Sequence, residues 1–158
     1  MLRLVQTHVT MKGQAMKVLV IHGAGMNMRG KVQLDVFGPM LLPQYDEHIR
    51  KYAVELKIDV EIFHSNIEGE VIDKFYEAHE AGVDGAVINP AGYGRGHPAL
   101  AAAIGQVKFP TIELHVSNPA RRGNVSEIAP VTRGTLTGFG IYGYYLALKG
   151  LQDICTRK

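Results

Sequence analysis

The sequence predicts an α/β domain built on a parallel sheet. Short runs rich in Val, Ile and Leu alternate with stretches whose apolar residues recur every three or four positions. The alternation repeats five times from Met16 onward, too regular for a segregated α+β chain. The 158 residues suffice for one domain with a sizeable core and are too few for two ordinary ones.

Val18–Ile21 reads as a strand buried on both faces, being apolar without a break. A Gly- and Met-rich segment runs from Gly23 to Pro39. Pro43 suits the first turn of a helix, and Tyr45, Ile49, Tyr52, Ala53 and Leu56 follow at helical spacing. Val60–Phe63 is a second strand. Glu68–Ala81 is a helix with Val71, Ile72, Phe75 and His79 on one side. Gly85–Ile88 is a third strand, ending at Asn89-Pro90. A helix starting near Pro98 carries Leu100, Ala103, Ile104 and Val107. Thr111–Leu114 is a fourth strand, Arg133–Thr137 a weaker fifth, and Ile141–Asp153 the last helix. Helices joining parallel strands imply right-handed crossovers. Segment 119–131 is expected to be irregular.

Residues 1–15 read as an N-terminal extension before a single domain, 16–158, because MKVLVIHG resembles a second chain start. The stretch lacks the long apolar centre of a signal peptide. The alternative is an arm used in oligomer contacts. Apolar residues make up 46% of the chain and charged residues 20%, the balance of a soluble globular protein. A net charge of +2, from 17 basic and 15 acidic residues, is far from a nucleic-acid binder's. The chain has no apolar run long enough to span a membrane. The single cysteine, Cys155, cannot form an internal disulfide, which fits a cytoplasmic setting.

Ligands of open α/β sheets bind outside the carboxyl ends of the strands. Those ends carry His22-Gly23, His64-Ser65-Asn66, Asn89, His115 with Ser117-Asn118, and Gly138. Together they predict a polar small-molecule pocket. Glu113 and His115 are two apart on one strand and face the same side. A carboxylate so placed can fix an imidazole tautomer. Gly23-Ala24-Gly25 is a poor dinucleotide fingerprint, since Met28 stands where the third glycine belongs and His64, not an acid, ends the second strand. His22, His64 and His115 lack the short spacing of a zinc site, and no Gly-x-Ser-x-Gly elbow is present. No metal or cofactor is expected.

The stretches HGAGMNMRG, FHSNIEGEVID, INPAGY, IELHVSN and GFGIYGYYLAL, in this order, resemble type II 3-dehydroquinate dehydratases from Met16 to about Gly150. The resemblance implies a flavodoxin-like three-layer sandwich with a five-stranded parallel sheet, and a dodecamer assembled from trimers. It implies removal of water from 3-dehydroquinate through an enolate. In that family a lid tyrosine, activated by an arginine, takes the proton, and a histidine after the third strand is the general acid.

The substrate-holding set carries over: Asn89 matches the ring-binding asparagine, His115 the hydroxyl-binding histidine, Glu113 its carboxylate neighbour, and Val116 and Ser117 the carboxylate-binding segment. The catalytic set does not. The lid pattern R-x-P-x-x-Y-G falls on Val32 to Gly38, placing Val32 at the arginine and Phe37 at the tyrosine. A phenyl ring has no proton to exchange. Gly25 replaces a water-ordering asparagine, Arg95 the general-acid histidine, and Ala102 an acid that reaches a neighbouring subunit. The second lid segment is shorter, and Arg121 or Arg122 fills its clamping-arginine role.

The leading expectation is therefore a divergent enzyme acting on a small cyclic or carboxylated substrate by proton abstraction, with elimination, isomerisation or hydrolysis. His22, Asp35 and His115 are its candidate bases, and Arg29, Lys31 or Arg95 its candidate anion-holding groups. One alternative is a working dehydratase with a relocated base, dependent on His97 or His22. Another is a non-catalytic binding or scaffold homologue.

Overall fold

The structure is a computed structural model that describes residues 13–156. The expected N-terminal extension lies outside the described residues over positions 1–12. Five parallel strands, β1 (Met16–Ala24), β2 (Ile58–His64), β3 (Gly85–Ala91), β4 (Thr111–His115) and β5 (Gly134–Thr137), form one sheet in the order β2-β1-β3-β4-β5. This is the strand order of the flavodoxin-like architecture. A one-turn helix, α1 (Leu34–Phe37), precedes four longer helices: α2 (Leu42–Leu56), α3 (Glu68–Glu80), α4 (Pro98–Gln106) and α5 (Tyr142–Thr156).

Side-chain alternation along β1 divides the core. Val18 and Val20 pack under α2 and α5 with Ile49, Ala53, Tyr144 and Leu148. Leu19 and Ile21 pack under α3 and α4 with Phe75, Leu100 and Ile104. A central strand covered on both faces must be apolar at every position, hence the unbroken run. Among the described residues, no helix is long and apolar enough to cross a membrane.

The elements depart from expectation mainly at their ends. β2 starts two residues early, at Ile58, because it is an edge strand whose Asp59 and Glu61 face solvent between inward residues. β1 and β3 continue to a pairing of Ala24 with Ala91. That contact requires glycine at position 23, where a Cβ would sit 2.0 Å from the Pro90 carbonyl oxygen. Segment 23–39 is not wholly irregular. It holds a 3-10 turn at Met26–Met28, with Met26 fully buried, and then α1, which Gln33 starts from a left-handed conformation at φ 51°. Segment 119–131 likewise contains short 3-10 turns at Pro119–Arg122 and Ala129–Val131. His79 does not join the buried face of α3. Its Nδ1 accepts the Lys108 N–H at 3.3 Å.

Candidate active site

A cavity of about 700 Å³ opens at the carboxyl ends of β3, β4 and β5, walled by the loop after β1 and the loop after β4. Strand order reverses between β1 and β3, so the loops leaving these ends diverge and leave a crevice.

Asn89 is buried at the cavity floor, with its Oδ1 accepting the Ala91 N–H at 3.3 Å. That bond accompanies an unusual backbone, since Ala91 sits at φ 46°. Positive φ is uncommon for a residue with a Cβ.

Glu113 pairs in register with Ile88 and Thr135 and is fully buried. Its Oε1 accepts from His115 Nε2 at 2.6 Å, while its buried Oε2 has no partner among the described residues. The carboxylate thus leaves Nδ1 as the imidazole's remaining nitrogen. Val116 and Ser117 follow on the cavity wall, and Arg122 Nη2 donates to Ser117 Oγ at 3.0 Å. Arg95 also lines the cavity, on the loop after β3.

Arg29 enters from the opposite loop, its guanidinium 3.5 Å from the Phe37 ring centroid. Burial pushes its pKa down, partly offset by the Tyr45 and Tyr144 phenols. Burial in turn lifts the pKa of Tyr45 and, more strongly, that of Tyr144. Both phenols therefore stay protonated at neutral pH.

The structure brings together Arg29, Asn89, Arg95, Glu113, His115, Val116, Ser117 and Arg122 around the cavity. His22, Asp35 and His97 lie outside its walls. His22 is fully buried beneath α2, in register with His64 and Asn89, and its Nε2 pairs with Asp46 Oδ1 at 2.8 Å. Asp35 is exposed on α1. His97 precedes α4, its Nδ1 2.9 Å from Glu68 Oε2 and its ring edge-on to Tyr93. Of the two arginines open for the clamping position, Arg122 reaches the cavity. Sequence reading missed the Arg29–Phe37 stack and the Asp46 partner of His22. Neither has a local signal, since one lies within an aperiodic loop and the other crosses from strand to helix.

The family model for class II dehydroquinases matches residues 16–152. The chain belongs to the type II dehydroquinase family. A 3-dehydroquinate dehydratase of Campylobacter jejuni is 41% identical over 143 residues, 89% of each chain. One from Campylobacter hominis is 42% identical over 142 residues, 88% of this chain and 91% of its own. The crystal structure of type II dehydroquinase from Butyrivibrio crossotus superposes with a TM-score of 0.85 at 35% identity, covering 89% of this chain and 99% of its own. In this chain the two lid replacements lie at the cavity. Val32 is exposed at the cavity rim, and Phe37 lies under the Arg29 guanidinium.

Proposed function

We propose that this type II dehydroquinase dehydrates 3-dehydroquinate, with His115 as the proton-transferring group. The curated relatives favour the parent reaction over an altered one. The observation that carries the choice of base is the cavity lining: its ionisable side chains are Arg29, Arg95, Arg122, Glu113 and His115. Guanidinium groups remain protonated, so the Glu113–His115 pair alone among them can take a proton.

The imidazole removes the proton next to the ketone, and the C–H electron pair moves into an enolate. The enolate then re-forms the ketone and a conjugated C=C bond as the β-hydroxyl C–O bond breaks. The imidazolium returns its proton to the departing oxygen, which leaves as water. Glu113 holds the imidazole in place, Asn89 faces the ring, and Ser117 with Arg122 receives the carboxylate. The cavity's cations offset the developing enolate charge.

The test is enone absorbance after mixing purified protein with 3-dehydroquinate, beside an authentic dehydratase. Turnover is expected and should vanish in His115→Ala with assembly intact. Undiminished turnover in that variant overturns the assignment. A second reading, altered chemistry on a related carboxylate, is favoured by Phe37, which lacks the hydroxyl of the lid tyrosine. Thermal stabilisation by 3-dehydroquinate without enone formation would support it. The family likeness extends the proposal to assembly as trimers within a dodecamer, which light scattering measures directly.

A further inference from the structure

Arg29 is a partly buried cation that, among the described residues, pairs with no acid. Its guanidinium carbon lies 3.5 Å from the Phe37 ring centroid, and its buried Nε has no hydrogen-bond partner among the described residues. Its ionisable neighbours are the Tyr45 and Tyr144 phenols, uncharged at neutral pH, and Arg122, another cation. Arg122 approaches the same ring, its guanidinium carbon 5.8 Å from the centroid, while its Nη2 holds Ser117 Oγ. The carboxylate in this cavity, Glu113, is engaged with His115.

Two like charges gathered around one ring repel. The ring's π face offsets a part of this. A desolvated cation remains costly until a counter-charge arrives. An oxyanion meets the need, because each guanidinium presents a planar fork of N–H donors that matches two oxygens. A tetrahedral dianion has enough oxygens and enough charge for both forks. We infer that Arg29 and Arg122, arranged about Phe37, form an oxyanion subsite that prefers a doubly charged group such as phosphate or sulfate to a single carboxylate. Such a subsite is independent of which reaction the cavity performs, and phosphate bound there competes with carboxylated substrates.

Thermal unfolding tests this on the full chain, without substrate, in phosphate, sulfate, acetate and chloride at pH 8 and matched ionic strength. A saturable rise of Tm is expected in phosphate and sulfate, with acetate at least tenfold weaker. Arg29→Met and Arg122→Met should each raise the half-saturating phosphate concentration at least tenfold. Arg29→Lys, which keeps the charge and loses the fork, should fall between Arg29→Met and the wild type. Arg29→Gln replaces Arg29→Met should the latter fail to fold. Equal stabilisation by chloride or acetate, no phosphate response in the wild type, or an unchanged response in the Arg29 variants would overturn the subsite. Loss of turnover elsewhere would leave these shifts intact, so failure here and failure of the dehydration reading are separable.

Discussion

Replacing Glu113 with Gln removes a charge and almost no volume at the one carboxylate in the cavity wall. Its Oε1 accepts from His115 Nε2 at 2.6 Å, a bond to a charged group worth about 1.5–3 kcal/mol. An amide can turn its NH2 toward the imidazole, so that a donor faces Nε2 and the proton must move to Nδ1, the nitrogen that should be free to act as base. The catalytic loss is then that of a misplaced tautomer, roughly 2.7–4 kcal/mol of barrier, or about a hundred- to a thousandfold in kcat. KM should change less than about threefold, because the proposed binding residues are Asn89, Ser117 and Arg122 and the variant removes no uniform binding. Folding should not suffer. The buried Glu113 Oε2 has no partner among the described residues, and a neutral amide is cheaper to bury than a carboxylate. Steady-state enone formation gives kcat and KM, and a thermal melt of the same preparation gives stability. A kcat within about threefold of wild type, in a variant with native Tm, would refute the role of the carboxylate in holding the base.

The two remaining predictions concern the carboxyl ends of β2 and β1. Burial, and then the neighbouring His22, hold the His64 imidazole below its ordinary value of 6.5. The folded state therefore binds this proton less readily than the unfolded chain. Its contribution is constant above about pH 6.5 and becomes unfavourable as pH falls below that value, until the lower folded pKa is passed. Melts between about pH 5 and 8 should show Tm falling on the acid side, and His64→Gln should flatten that slope; an identical slope in the variant contradicts the assignment. Gly23→Ala places a methyl group 2.0 Å from the Pro90 carbonyl oxygen, a backbone atom with no room to retreat between paired strands. A loss of at least about 3 kcal/mol in denaturant unfolding is expected, and a loss below about 1 kcal/mol would show that β1 and β3 are not in this register.

Legibility in the sequence follows how local each feature is. β1 and β3 are legible because a strand covered on both faces leaves an unbroken apolar run. β5 is faint because it is short, at the sheet edge and nowhere fully buried, so its residues carry little burial signal. The Glu113–His115 pair is legible because the two-residue period of a strand sets its geometry before any tertiary contact forms. His97 misleads for the opposite reason. Its sequence position allows it to reach the pocket, but its pairing with Glu68 on α3 is long-range and directs it elsewhere. His22 lies on the right strand end, yet it is an inward residue whose partner, Asp46, comes from the helix above it. Strand position alone does not separate a residue beneath the floor from one facing the cavity.

The lid shows why substitutions read singly overstate what is lost. Val32 and Phe37 each remove a group from the family's pattern, and together they remove an arginine beside an aromatic hydroxyl. The structure returns the arginine from another position, since Arg29 places its guanidinium 3.5 Å from the ring that stands at the tyrosine's place. The cation–ring pair therefore persists while the phenolic oxygen is gone. With no phenol to activate, the guanidinium's remaining capacity is to hold negative charge. Arg122 turns toward the same ring from the loop after β4, and that loop also supplies Ser117. In the proposed mechanism proton transfer falls to the opposite wall, where Glu113 and His115 are built on a strand rather than a loop. The proposed mechanism thus separates the two tasks that a lid tyrosine beside an arginine would combine. On this proposal charge is managed by the loops and the proton by the sheet, so Glu113→Gln should lower kcat and leave phosphate affinity unchanged, whereas the Arg29 substitutions should weaken phosphate binding and also lower kcat through lost enolate stabilisation.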